Sequence, residues 1–122
     1  MRTTLNKNTI IWVKNEIGED VVLKLKKIKL VKATHNGISL LSKKGNIYFM
    51  YITLDQFMLD FECVHLFCMV HRSSIVGVRF IKRHHFAHHY LILKGNVKVD
   101  MSALGVDNYL KGFPPYQFTK CA

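Results

Sequence analysis

Short apolar segments separated by turn residues are the feature that most constrains how this chain folds. Residues 21–25 and 28–33 alternate apolar and polar positions, with lysines on the expected solvent side, as half-buried β-strands do. Asn36-Gly37, between two such segments, supplies the positive φ of a tight hairpin turn. About nine short strands follow one another without an internal repeat, so the sequence predicts a mainly β domain.

One segment is helical by the same criteria. Residues 53–62 carry apolar side chains at the spacing of one helix face, and Thr53 with Gln56 forms a capping box at its start. This pattern predicts an amphipathic helix packed on a sheet. A weaker pattern over residues 102–110, ended by Pro114, predicts a short C-terminal helix.

At 122 residues the chain has the length of one domain. We assign residues 10–113 to that domain, residues 1–9 to a flexible tail or linker remnant, and residues 114–122 to a C-terminal tail. The apolar runs fall far short of the ~20 residues that span a bilayer, and no leader pattern precedes a cleavage site. Three cysteines without framework spacing do not describe a disulfide-stapled module. The expected location is the cytoplasm, with no membrane partner.

Positive charge is both large and grouped. The chain has 18 Lys and Arg against 8 Asp and Glu, a formal charge of +10. No acid lies between Asp20 and Asp55, or between Glu62 and Asp100. This pattern points to an anionic partner, with nucleic acid first and an acidic membrane surface second. The alternative is a solvated basic face, which would leave acids on the same segments.

Catalytic and metal-binding patterns are weak in this sequence. It contains no Gly-rich phosphate loop, paired carboxylates or nucleophile elbow, so we predict no enzyme and no cofactor. The histidine-rich run 83–89 lies between β-like flanks, where a hairpin tip would splay the rings apart instead of converging them on a metal. A basic tip that contacts phosphate or water is favoured. Cys63, His65 and Cys68 have ligand residue types, but their apolar neighbours favour buried structural thiols.

The most informative segment is His71-Arg72-Ser73-Ser74, placed between two apolar strands. An arginine on a connecting loop can bind guanine O6 and N7 with two hydrogen bonds, and small hydroxyls can bind phosphate. The alternative is an ordinary turn whose arginine pairs with a carboxylate.

The order of these motifs resembles the LytTR family of bacterial DNA-binding domains. The specific block is Val70-His71-Arg72-Ser73-Ser74-Ile75-Val76, and the supporting blocks are Ile11-Trp12-Val13-Lys14, Leu30-Val31-Lys32-Ala33-Thr34-His35-Asn36, Thr53-Leu54-Asp55-Gln56-Phe57 and Lys94-Gly95-Asn96. The resemblance implies an elongated arrangement of small antiparallel sheets with one packed helix. It also implies that connecting loops, instead of a recognition helix, enter successive major grooves, often at paired direct repeats.

The resemblance implies three base-contacting positions: the His35-Asn36 turn, Arg72, and a basic pair near the last strand. That pair is Met101-Ser102 here, and the family's Asn after Ile-Val is Gly77. Losing a bidentate arginine would cost about 1–3 kcal/mol of base discrimination. The candidate DNA-binding residues are therefore His35, Asn36, His71, Arg72, Ser73, Ser74, Lys82, Arg83, Lys98, Met101 and Ser102.

The resulting prediction is a sequence-specific regulator of transcription that binds double-stranded promoter DNA. A homodimer on paired repeats, and a receiver domain or sensor kinase of a two-component pathway outside this chain, are the partners that the resemblance implies. The alternative is a β-rich protein-interaction module on the same scaffold, with weakened DNA recognition. A metal site on the histidine-rich run is a third hypothesis.

Overall fold

The computed structural model describes residues 5–61 and 64–112. They form ten strands and two α-helices, joined in part by single turns of 3-10 helix. In chain order the elements are β1 Ile10–Lys14, β2 Asp20–Lys24, β3 Ile28–Thr34, β4 Gly37–Ser42, β5 Ile47–Met50, α1 Leu54–Phe61, β6 Phe67–His71, β7 Ser74–Gly77, β8 Ile81–His85, β9 Tyr90–Leu93, β10 Val97–Asp100 and α2 Ala103–Gly112.

The strands form two antiparallel sheets. The larger has seven strands in the order β2-β1-β5-β4-β3-β7-β6, and the smaller has three in the order β10-β9-β8. The mainly β class predicted from the alternating segments is confirmed, as are both helices. Neighbours in sequence pair as hairpins almost throughout, because short turns allow only antiparallel pairing.

Each face of the large sheet carries its own core over β3, β7 and β6. Helix α1 covers one face, where Phe57 packs edge-on against Phe61 and Phe67 with ring centroids 4.9 and 5.1 Å apart. The small sheet and α2 cover the other face, where Leu91 and Tyr109 are fully buried. Successive residues of a strand point to opposite faces, so these three strands carry apolar side chains on both faces.

Lys29 does not lie on the solvent side, as the alternation predicted. It is only 6% exposed, and its Nζ donates to the Lys94 backbone oxygen at 2.8 Å. The pairing of β3 with β4 shifts between Ile28 and Leu30, and such an irregularity breaks the two-residue period. The pattern therefore fails at the one residue where the register changes.

Two local details also differ from the sequence prediction. The Thr53 hydroxyl accepts from the Gln56 backbone N–H at 3.0 Å, but the Gln56 side chain donates to Asp60 instead of completing the capping box. In the β3–β4 hairpin, Thr34 pairs with Gly37, so the loop is His35-Asn36. Neither loop residue has a positive φ. Gly37 is required instead because a Cβ there would collide with the Met50 backbone oxygen.

The described part of the predicted N-terminal tail contacts the domain. Leu5 packs against the α1 core, and the Lys7 and Thr9 backbone oxygens accept from Lys26 and Leu25. Residues 5–9 therefore extend the domain towards the N-terminus. Both described helices are much shorter than the ~20 residues that a bilayer-spanning helix needs.

Candidate nucleic-acid interface

Two turns singled out by the sequence lie together at one end of the large sheet. β3 pairs with both β4 and β7. The His35-Asn36 turn, which follows β3, and the Arg72-Ser73 turn, which precedes β7, therefore lie at the same end of the sheet. The Ala33 backbone N–H donates to the Ser73 backbone oxygen at 2.9 Å. We call the surface formed by His35, Asn36, Arg72 and Ser73 the turn surface.

A shallow depression of about 450 Å³ lies on the turn surface. His35, Asn36 and Arg72 line one part of it, and Tyr51 and Asp55 line another. The Tyr51 side chain is largely exposed, and its position at the end of β5 gave no signal in the sequence. Asp55 places one negative charge beside these groups, which favours hydrogen-bond donors of a ligand over phosphate at that point.

Arg72 is exposed on a turn that its neighbours hold in shape. The Ser73 backbone N–H donates to Nδ1 of His71 at 3.1 Å, and the Ser73 hydroxyl lies 2.8 Å from the same nitrogen. A backbone N–H can only donate, so Nδ1 accepts and the ring proton is on Nε2. Over residues 5–61 and 64–112, Arg72 has no ion-pair partner, and the interpretation of a turn arginine paired with a carboxylate finds no support there.

Two predicted site residues have buried side chains. Met101 is 5% exposed and packs in the core between the small sheet and α2, because it directly follows β10 and continues that strand's buried positions. Ser74 begins β7, opposite Lys32 of β3, and is also buried. Neither side chain is at a surface that a ligand could contact.

Ser102 is the N-cap of α2. Its hydroxyl accepts from the Gly105 N–H at 2.9 Å, and its backbone N–H donates to the Val70 oxygen at 3.1 Å. The Met101 N–H donates to the His89 oxygen at 2.7 Å. The start of α2, the histidine-rich tip and the end of β6 therefore meet next to the turn surface.

Arg83 and Lys98 share the exposed face of the small sheet, both opposite Ile92 on the central strand. Tyr90 lies between the two basic strands. The His85 ring stacks on Tyr90 at 4.5 Å between centroids, and Lys98 Nζ lies 4.6 Å from the centre of the same ring. We call Arg83, His85, Tyr90 and Lys98 the outer face. Tyr90 is not among the site residues predicted from the sequence, although its alternation with Leu91 could have placed it towards solvent.

Lys82 lies away from this group. Its Nζ donates to Asn96 Oδ1 at 3.4 Å, beside the β9–β10 turn at the opposite end of the small sheet. Positive charge also collects near the start of β3, where the pKa of Lys26 is lowered chiefly by Lys24, with Lys7, Arg79 and Lys27 contributing. The basic residues are thus spread over several surfaces, and only part of them adjoins the turn surface.

The described residues show no cluster of three or more His, Cys, Asp or Glu side chains that could hold a metal ion. Cys63 lies outside them. Cys68 is a free thiol in the core, and burial raises its pKa to about 11, so it is protonated and unreactive at neutral pH. These findings support the prediction that Cys68 is a structural thiol.

Gly77 has a packing role. A Cβ at this position would collide with the backbone oxygen of Ile28, where β7 passes close to the start of β3. The LytTR-type pattern has asparagine at this position. The close approach of the two backbones in this chain accounts for glycine there instead.

The fold is similar to that of a solved DNA-binding domain. The match is the LytTr DNA-binding domain of a Bacillus cereus protein described as a methyl-accepting/DNA response regulator, with a TM-score of 0.76. It covers 86% of this chain and 96% of that chain, at 18% sequence identity. A scan against models of protein families finds no match, and a search of curated proteins finds none either. The expected LytTR-type fold is confirmed by this structural match.

Proposed function

We propose that this domain binds double-stranded DNA sequence-specifically, by inserting side chains of its connecting turns into major grooves, and thereby regulates transcription. The observation that carries the proposal is the turn surface: an exposed arginine, without an ion-pair partner among the described residues, lies beside His35 and Asn36 on the fold of a LytTr DNA-binding domain. Side chains on rigid strand ends can keep a fixed geometry towards base edges, and Arg and Asn are suited to bidentate contacts with guanine and adenine.

The structure suggests a division of roles. Arg72, with Asn36 and His35, would contact bases. Arg83 and Lys98 on the outer face would bind phosphates, which supplies affinity without sequence information. His71 would act indirectly, because its ring accepts the hydrogen bond from the Ser73 backbone N–H that fixes the turn carrying Arg72. The buried side chains of Ser74 and Met101, and the capping hydroxyl of Ser102, take no part in the proposed base contacts.

The test begins with selection of preferred duplexes from a random pool, followed by fluorescence anisotropy with selected and scrambled DNA. Arg72→Ala should reduce the preference for the selected duplex by about 1–3 kcal/mol, roughly 5- to 150-fold. The matched control is Arg79→Ala, an exposed arginine far from the turn surface that removes the same charge. It should leave the preference intact.

Phosphate contacts have a different signature. Lys98→Ala should weaken binding to selected and scrambled DNA equally, and should lower the slope of log affinity against log salt by about 0.9. If Arg72→Ala changes only that slope and not the preference, Arg72 binds phosphate and the proposed base contact is wrong. If the native protein selects no duplex and its binding vanishes at physiological salt, the DNA-binding function itself is refuted.

In the cell, the proposed function places the protein in the cytoplasm with promoter DNA as its partner. Paired repeats would be bound by two copies, and the input would come from a receiver domain or sensor kinase outside this chain. The alternative function, a protein-interaction module, is favoured by one observation: Trp12 and Ile10 expose apolar surface on the large sheet. A protein that selects no DNA would support that alternative.

A further inference from the structure

Strand β2 forms an edge of the large sheet. β1 is its partner on one side, and within residues 5–61 and 64–112 no strand pairs with the other side. An edge strand presents free N–H and C=O groups that can pair with a further strand. The question is which strand this edge fits.

The hydrogen bonds of the β1–β2 hairpin show which backbone groups point outwards. Leu25 N–H donates to the Thr9 oxygen at 2.9 Å, and Asn15 N–H donates to the Glu19 oxygen at 3.0 Å. Hydrogen-bonded pairs alternate along an antiparallel ladder, so Val21 and Leu23 also bond to β1. The N–H and C=O groups of Asp20, Val22 and Lys24 therefore face away from the sheet.

The side chains of these same three residues point away from the α1 core, on a part of the large sheet that the small sheet does not cover. Val22 is 50% exposed, and its partner Trp12 and the neighbouring Ile10 are 69% and 55% exposed. Apolar surface of this kind, continuous with an open strand edge, is typical of an interaction site.

The sequence of β2, Asp20-Val21-Val22-Leu23-Lys24, is complementary to itself when reversed. In an antiparallel pair of two copies centred on Val22, Asp20 of each copy lies opposite Lys24 of the other. These are also the residues whose backbone groups face outwards, so the pairs would be hydrogen-bonded. Because Asp20 and Lys24 occupy opposite ends of the strand, this register alone joins unlike charges at both ends.

We propose that the outer edge of β2 pairs antiparallel with β2 of a second copy of this chain, about a two-fold axis at Val22. The contact extends the large sheet across two copies and brings the two exposed Val22 side chains together on one face. Two five-residue strands bury less than the roughly 1,200 Å² of a standard interface, so the dimer is weak and exchanging. It is independent of the proposed DNA binding, and its test contains no DNA.

The first experiment measures self-association by sedimentation velocity at about 0.3 M salt, where repulsion between two chains of charge +10 is screened. Lys24→Asp would place carboxylates opposite each other at both ends of the paired strands, and should weaken the dimer about tenfold, because the change acts twice across the axis. The exchange Asp20→Lys with Lys24→Asp restores the opposite pairs and should recover dimerisation. Both variants carry Lys14→Ala, because Lys14 Nζ lies 2.7 Å from Asp20 Oδ1 within one copy and would repel a lysine at that position. Circular dichroism checks that each variant is folded.

The second experiment is disulfide trapping. Hydrogen-bonded residues across an antiparallel pair have Cα atoms ~5.5 Å apart, within the range of a disulfide. Val22→Cys should therefore form a covalent dimer under mild oxidation. Ile17→Cys, exposed on the hairpin turn and away from the axis, is the control and should cross-link no faster than the native protein.

Three results would overturn the proposal. One is a native protein that stays monomeric at about 1 mM. The second is Val22→Cys cross-linking no faster than Ile17→Cys, which would show that the β2 edges of two copies do not meet. A dimer that survives Lys24→Asp unchanged would likewise show that another surface is used.

Discussion

Gly105 should be intolerant of alanine, although it lies in the first half of a helix where alanine is normally preferred. An added Cβ at this position would meet the carbonyl group of Val70 on β6, directly under α2. The Ser102 N–H donates to the same Val70 oxygen, so the start of α2 is fixed to β6 at this point. The helix cannot move away from the sheet without losing that bond.

The magnitude follows from two opposed effects. In an exposed helix interior, Gly→Ala stabilises by about 1 kcal/mol, because glycine loses more backbone entropy on folding. Overpacking a buried contact costs about 1–3 kcal/mol, and here the contacted group is backbone, which cannot rotate aside. Because the contacted backbone group cannot move aside, the steric cost should be about 3 kcal/mol, the upper end of that range, giving a net loss of about 2 kcal/mol. For a domain of this size that loss lowers Tm by roughly 10 °C.

Urea denaturation followed by far-UV circular dichroism measures this loss. Tryptophan fluorescence is a poor probe, since Trp12 is already largely exposed in the folded state. Leu104→Ala, one residue away and exposed, is the control and should change stability by no more than about 0.5 kcal/mol. If Gly105→Ala is as stable as the native protein or more so, α2 does not pack on β6 as described.

Three further predictions concern single side chains. Ser102→Ala removes the N-cap of α2 and should cost about 1 kcal/mol in urea denaturation; a loss below a few tenths would contradict the capping bond. Thr53→Ala should cost about 1 kcal/mol, whereas Gln56→Ala should cost only a few tenths, because the Gln56 side chain bonds to exposed Asp60. Equal losses would indicate instead that the Gln56 side chain completes the capping box. Burial raises the pKa of Cys68 from 9.0 to about 11, so native protein at pH 8 should resist iodoacetamide at this thiol and react fully in urea, as measured by peptide mass spectrometry. The Cys68 thiol loses its proton at a lower pH in the unfolded chain than in the folded protein, so its contribution to stability should decline as pH rises from 9 towards 11. Rapid alkylation of the native protein would contradict the burial of Cys68.

The sequence by itself determined the type and order of the elements. Alternation of apolar and polar residues identified the strands, and one stripe of apolar side chains identified α1, because both signals arise within a few residues of chain. The His71-Arg72-Ser73 block marked the turn that the structure places beside His35-Asn36. The hydrogen bonds of this turn join residues only two positions apart, His71 and Ser73, so a short sequence motif could indicate the turn.

Tertiary structure alone decided which of these residues reach solvent. The alternation of apolar and polar residues shows that a strand has two faces, but it does not show which face another layer covers. For this reason Met101 was predicted at the surface, whereas it is buried. Lys29 is buried because a register shift between the paired strands β3 and β4 changes the direction of its side chain. The sequence of one strand does not contain that shift. The requirement for glycine at positions 77 and 105 comes from carbonyl oxygens of distant residues. The free edge of β2 likewise follows only from the order of strands in the sheet, because pairing joins residues that are remote in sequence.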